Sequence, residues 1–417
     1  TQYFKNRLYY IDVKGMLSSL HGSAGAITAL QNSVAHYYQR ASSADYLGVD
    51  PTRRSLTGTG GYVKVGRKGN AKWNFSETFT WSSPGFDLND MGYMKETDYL
   101  MNETEIMYRQ TDIWKIFRYN AFTLSQKNMW NYGGTPFSNN ASLRWQSMTM
   151  NRYEWDVKET FAWNWLDSRL LRGGPDVRFG SYFLTSAKFN TDKAKRMMFM
   201  LKYEGDHNFE GNRFNTISPS LTFRLGNHVY LSGQLDYAWN TDEMQYVATT
   251  SPLSSSSLAP YYYVMGHMDQ KTYGLTLKLQ VNVTPDISIQ FYGAPFTSIA
   301  KYDDFKLAAD TKSHTFENRF QRIDPDQLTY ADGVYTIGEG AGQMPFRNPD
   351  FRFNEFRSNL VARWEYLPGS TLYFVWEHRM SNRDNWYSSG WGSNLDRMWG
   401  LPATNTFMIK MNYWFNL

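Results

Sequence analysis

The chain has no cysteine, so no disulfide holds it together. That suits an envelope protein built without disulfides and does not by itself place it there. It has no run of roughly eighteen or more apolar residues, and its mean hydropathy is −0.58. No transmembrane helix is therefore available. Lys and Arg number 43 against 39 Asp and Glu, a net charge of +4. With no basic run, this argues against a nucleic-acid partner. No secretory signal is visible at Thr1, so the expectation is a mature or truncated chain. The G-x-S-x-G, H-E-x-x-H, P-loop and dinucleotide fingerprints are all missing.

Rings are what the chain has in excess. Aromatics make up 17% of it, with 15 Trp, 30 Tyr and 27 Phe. A water-soluble chain this polar has little use for so many, whereas a membrane barrel gathers Trp and Tyr in girdles at its two interfaces. The final segment alternates to its last residue. Phe407, Ile409, Met411, Tyr413, Phe415 and Leu417 point one way, and Thr406, Met408, Lys410, Asn412, Trp414 and Asn416 the other. A period of two with one apolar face is a strand between two unlike environments. Outer-membrane barrels end this way, and the last strand is then expected to pair with the first and close the wall.

Alternating segments predict roughly seventeen strands long enough to cross a bilayer when tilted. They lie near 7–22, 26–41, 57–69, 71–82, 95–110, 115–131, 137–150, 153–168, 175–190, 195–210, 212–226, 228–242, 270–284, 286–299, 353–366, 369–382 and 404–417. Tight turns at Lys68-Gly69-Asn70, Gly226-Asn227, Thr284-Pro285-Asp286 and Leu367-Pro368-Gly369-Ser370 use residues suited to special backbone angles. Long segments alternate with them at 42–56, 83–94, 243–269, 300–352 and 383–403. The implied fold is all-β, a transmembrane antiparallel β-barrel of about 16–18 strands or more with long extracellular loops. It spans 1–417, with 300–352 able to form a lid, a plug or an external hairpin. An odd count running back from Leu417 puts Thr1 outside the cell, against the even count of bacterial barrels. The expectation is a barrel incomplete at its N-terminus.

Two segments echo each other. Trp73 to Trp81 and Trp155 to Trp163 share the pattern W-x-φ-x-E-T-F-x-W. Glu77 and Glu159 fall on the aromatic face of their strands, where lipid disfavours an acid. Either those faces look inward, or the glutamates meet a partner subunit or a plug, or a bulge returns them to the lumen.

Three stretches carry a family resemblance: Ser83-Pro-Gly-Phe-Asp-Leu-Asn-Asp-Met-Gly92, the two strands and Pro-Gly-Ser turn from Phe356 to Trp376, and Lys410 to Leu417. The chain resembles, over its whole length, the C-terminal barrel of a large outer-membrane domain-of-unknown-function family of glycan-foraging Gram-negative bacteria. In that family a module similar to carbohydrate-binding family nine precedes the barrel, and here it would lie before Thr1. The resemblance implies location and fold, and no settled activity.

Candidate chemistry is sparse. Among seven histidines, only His207 beside Asp206 and His267 near Asp269 suggest a dyad, and adjacent strand residues point to opposite faces. Asp303-Asp304 and Asp324-Pro-Asp326 lack the spacing of a calcium loop. The loop from Arg383 to Trp399 interleaves Trp386, Tyr387, Trp391 and Trp399 with Asp384, Asn385, Asn394 and Asp396. Such rings and polar groups suit glycan contact, and equally an interfacial anchor or packing against a partner protein. Lys278, Gln280, Gln290, Arg357, Arg363, Glu365, Glu377 and Lys410 are expected to line a mixed-charge lumen. The expectation is a non-enzymatic barrel in the outer membrane of a Gram-negative cell, channel-like or receptor-like, for extracellular carbohydrate-type solutes. Neither a metal nor a cofactor is implied, and lipid, glycans and envelope proteins or surface lipoproteins are the expected partners. The alternative is a plugged barrel subunit of a larger uptake or secretion complex.

Overall fold

The structure, a computed structural model, describes residues 1–40, 45–89, 92–163, 165–226, 228–253, 261–384 and 390–415. An antiparallel sheet of 18 strands dominates it. Two members are short marginal strands, Gln2–Phe4 and Phe320–Arg322. The other sixteen form an up-and-down meander. They are β1 (Tyr9–His21), β2 (Ser55–Arg67), β3 (Trp73–Ser82), β4 (Tyr99–Gln110), β5 (Phe117–Trp130), β6 (Pro136–Thr149), β7 (Glu154–Trp163) and β8 (Tyr182–Asn190), followed by β9 (Met197–Asn208), β10 (Arg213–Leu225), β11 (Val229–Thr250), β12 (Tyr262–Asn282), β13 (Ile287–Ala308), β14 (Phe351–Leu367), β15 (Ser370–Asp384) and β16 (Thr404–Asn412). Each pairs with the next in the order of the chain.

Two expectations change. The described residues of the segment 26–41 hold no strand; it begins in helix α1 (Ala24–Gln31), where Ser23 Oγ accepts from the Ala26 amide at 3.2 Å. Ser23 is an N-cap ahead of an alanine-rich turn, and the buried Ile27 and Gln31, four residues apart, share one helical face. Without that strand the count is even, so the parity argument for a missing strand falls. Nor does the last strand pair with the first. Among the described residues β16 pairs with β15 alone, and Gln2–Phe4 folds back onto Tyr9–Ile11, taking the turn-side end of the free edge of β1. The sheet is not closed.

The two faces differ in kind. On β1, Ile11, Val13 and Leu17 are exposed, Leu17 at 72%, while Ser18 on the opposite face is buried. The pattern repeats on β11, where Leu231, Leu235 and Trp239 are exposed and Tyr230, Ser232, Gln234 and Asp236 alternate with them. The polar face is the concave one: a cleft of about 620 Å³ is walled by side chains from β4 to β10, including Glu103, Lys127, Arg144, Lys158 and Glu204.

Among the described residues the packed core lies at the loop side. There β11, β12 and β13 run on for 22, 21 and 22 residues, about twice the roughly 9–11 that a tilted strand needs to cross a bilayer. Register shifts at Asp242/Gln245 and Tyr246/Ala248 mark the change on β11. Around and beyond them Met244, Val264 and Met265 are fully buried, as is Ala300 level with Asn240. Val264 and Ala300 pack with Phe305, Ile337 and Phe346. Ile337 and Phe346 come from a small sheet, Leu328–Ala331, Val334–Ile337 and Met344–Arg347, so the predicted 300–352 loop is an ordered cap whose first residues belong to β13.

Candidate functional site

All eight residues expected to line a lumen fall on the polar face. Gln280 stands opposite Gln290, and Lys278 opposite Ser232 and Tyr292. Arg363 faces Tyr373, which faces Lys410, and Glu377 faces Asn359. Their charges pair locally: Arg363 with Glu365 at 2.5 Å, and Arg357 and Arg379 with Glu355 at 2.8 and 3.0 Å. Glu365 Oε1 also accepts from the Gly369 amide at 3.1 Å, tying the wall to its turn. Further round, Glu103 stands opposite Lys127, and Arg144 holds Asp156 through Nε at 2.7 Å.

Glu77 and Glu159 do not turn inward. Registers through both are unbroken, so the bulge is ruled out and both stay on the outward aromatic face. Each has a threonine directly across the ladder. Thr104 Oγ1 donates to Glu77 Oε2 at 2.6 Å, and Asn102 Nδ2 donates to Oε1. Thr185 Oγ1 donates to Glu159 Oε2 at 2.7 Å. The rings beside them stack alike, Phe79 on Trp81 at 24° and Phe161 on Trp163 at 19°. In each copy the tryptophans stand roughly 26 Å apart along the strand at about 3.3 Å per residue, the scale of a barrel's apolar band, with the glutamate midway.

A strap of loop folds onto the polar face at its loop-side rim. Gly58 and Gly60 leave room for it: a Cβ on Gly58 would strike the Phe86 backbone, and one on Gly60 the Phe86 ring. The Asp87 amide donates to Ser18 Oγ at 2.9 Å. Asp87 Oδ2 meets His36 Nε2 at 3.1 Å, while His36 Nδ1 lies 2.9 Å from the Pro84 carbonyl. Arg40 pairs with the fully buried Asp98 at 2.6 Å, which also accepts from the Tyr46 hydroxyl at 2.7 Å. Burial, followed by that bond, pushes the Tyr46 hydroxyl well above its ordinary pKa. The distinctive stretch 83–92 carries no sequence sign of this role; the small residues Gly58 and Gly60 facing it are the available signal.

The tryptophan-rich loop is only partly within the described residues. Trp386, Tyr387 and Asn385 lie outside them, and Trp391 opens helix α2 (Trp391–Trp399). Asp384 is taken up by the buried Arg352 and by Asn382 Nδ2 at 3.0 Å. Asn394 is buried and donates to the Gly390 carbonyl at 2.6 Å. Asp396 is exposed. Trp399 packs on the outward Phe356 at 4.8 Å and stays half exposed.

The two histidine candidates separate. Asp206 stands opposite Phe214 and its neighbour His207 opposite Arg213, so they occupy opposite faces. His267 has carboxylates on both sides, Glu243 at 3.1 Å from Nδ1 and Asp269 at 3.6 Å from Nε2. Burial lowers its pKa, but the Glu243 bond and the charges of Glu243, Asp303 and Asp269 outweigh that and raise it. Asp304 pairs with Lys306 at 3.3 Å, and Asp324 caps a short turn by accepting from the Asp326 amide at 3.1 Å.

A domain of unknown function, DUF5916, matches residues 22–417, so the chain belongs to that family. No curated protein and no solved structure matches it.

Proposed function

We propose that this DUF5916 member is an integral outer-membrane β-barrel protein of a Gram-negative envelope, with a polar lumen for passage or capture of carbohydrate-type solutes. The observation that carries the reading is the inverted polarity of the sheet. Strand after strand turns aliphatic and aromatic side chains outward, uncovered, and collects its charges on the concave face. A one-sided sheet in water does the reverse, whereas a barrel wall in lipid needs this arrangement. Unpaired backbone groups in hydrocarbon cost several kcal/mol each, on the order of a lost hydrogen bond. The free edges of β1 and β16 must therefore be covered in the membrane. The solute class follows the family resemblance and the mixed-charge, amide-rich wall.

Purified protein in planar bilayers tests the open lumen. Stepwise ion conductance is the expected result, and inserted protein that stays silent overturns it.

The second reading is a plugged subunit of an uptake or secretion complex. The strap through Phe86 on the polar face and the outward glutamates at mid-wall favour it. Mild-detergent extraction decides: a stoichiometric envelope protein or surface lipoprotein persisting through purification supports this reading, and a lone chain removes it.

A further inference from the structure

At the loop-side end of the polar face, sharing Leu184, Asp206 and Phe214 with the larger cleft, lies a second cavity of about 390 Å³. Its floor is one row of the ladder: Leu184 opposite Asp206, Asp206 opposite Phe214, and Phe214 opposite Asn240. Its walls add Asp167, Asp242, Phe179 and Tyr182. Backbone amides fix two of the carboxyls in place. The Arg169 and Leu170 amides donate to Asp167 Oδ1 at 2.7 and 2.9 Å, and the Met244 amide to Asp242 Oδ1 at 2.9 Å.

The roof is a built element. The hairpin of Trp165–Asp167 and Val177–Phe179 is pinned from behind. The Arg178 amide donates to the Thr311 carbonyl at 2.9 Å, and Thr311 Oγ1 donates to the Asp176 carbonyl at 2.7 Å. Arg319 grips Glu210 in bidentate fashion at 2.7 and 3.0 Å, and Glu210 also accepts from the Gly180 amide at 2.9 Å.

Three carboxyls and three aromatic rings thus converge on one space, and no lysine, arginine or histidine lines it among the described residues. Elsewhere on this face acids meet bases, as Glu103 meets Lys127 and Arg144 meets Asp156. Burial pushes the Asp242 carboxyl above its ordinary range; the Glu243 and Asp206 charges add to it, and the Met244 amide and the more distant Lys306 charge offset only part. Like charges held together in a half-dry space are relieved by a cation, and ring faces attract the same ligand through their quadrupoles.

We infer that this cavity is a binding site for organic cations, solutes carrying an ammonium or guanidinium group, held between Asp206 and Asp242 with the faces of Phe214 and Tyr182 against their alkyl and cationic parts. Compact metal ions would gain little from the rings, and neutral polyols nothing from three carboxyls. The site needs only the sheet and the pinned hairpin, so binding in detergent micelles is measurable whether or not the protein conducts.

The experiment is calorimetric titration of the full chain in detergent with putrescine, with glucose and Ca²⁺ as comparators. Saturable binding of putrescine is expected, undisturbed by glucose. Asp206→Asn and Asp242→Asn should each weaken it by about tenfold or more, as losing a charged hydrogen bond does. Phe214→Leu should weaken it roughly two- to thirtyfold, the range of one cation–π contact. Tryptophan fluorescence and thermal melting of each variant should match the parent, separating lost binding from lost fold. No putrescine binding, equal binding by the Asp206→Asn/Asp242→Asn double variant, or binding displaced by Ca²⁺ and insensitive to Phe214→Leu overturns the assignment.

Discussion

Glu77 on β3 faces Thr104 on β4 across an unbroken register, and the threonine hydroxyl donates to the carboxylate at 2.6 Å on the outward face. Glu159 and Thr185 repeat the relationship on β7 and β8 at 2.7 Å. A carboxyl at mid-wall is disfavoured by lipid, and the hydroxyl opposite compensates for part of the lost hydration. Replacing the acid should therefore help the isolated protein, while replacing its partner should hurt. Glu77→Leu is expected to leave stability unchanged or raise it by up to about 2 kcal/mol. Thr104→Val should lower it by about 1–3 kcal/mol. Urea unfolding from thin bilayers, followed by tryptophan fluorescence, measures both; a marked loss for Glu77→Leu would show that the acid holds structure.

The strap across the polar face depends on two missing side chains. Gly58→Val and Gly60→Val should each eject Phe86 and expose the segment from Pro84 to Asp98 to protease, with the sheet intact by circular dichroism. Cleavage confined to that segment is the expected pattern. Unchanged protection would mean that Phe86 does not seat against β2.

His267 gives the loop-side sheet a pH dependence. Its folded-state pKa is raised, so its pairing with Glu243 contributes fully below the unfolded value and fades as pH rises through the higher folded one. Amide exchange in the loop-side parts of β11 and β12 should slow as pH falls across that window, after correction for intrinsic exchange. His267→Gln should flatten the trend, and a slope of the same size in the variant would assign it to another group.

Arg319 is almost wholly buried on Glu210. Arg319→Met alone strands a carboxylate and should destabilise the loop-side cap by about 3–5 kcal/mol, whereas pairing it with Glu210→Leu should restore much of the loss. Thermal melting of the four proteins in a double-mutant cycle reads the coupling, and additive losses would contradict it.

Much of the sheet was legible because an apolar outward face and a polar concave face impose a strict period of two. The alternation of Val229 through Trp239 and of Phe407 through Met411 survives in the structure unchanged. It fades where both faces pack on protein, and so the loop-side halves of β11 to β13, with Met244, Val264 and Ala300 buried, were read as loops. Helix α1 was misread because a short alanine-rich segment gives little periodicity, although Ser23 signalled its start. His36 and Asp87, brought together across 51 residues, carried no local signal. The cavity beneath the pinned hairpin was equally invisible, since Asp167, Asp206 and Asp242 meet only through the ladder and the roof.

The central claim is that the apolar face meets lipid and the polar face meets water, and the absence of native cysteine allows a direct test. Single cysteines at Leu231, Ser232, Gln234 and Leu235 on β11, in protein reconstituted into vesicles, are challenged with a water-soluble maleimide. The account predicts labelling at 232 and 234 and protection at 231 and 235. Labelling at 231 and 235 with protection at 232 and 234 would contradict it.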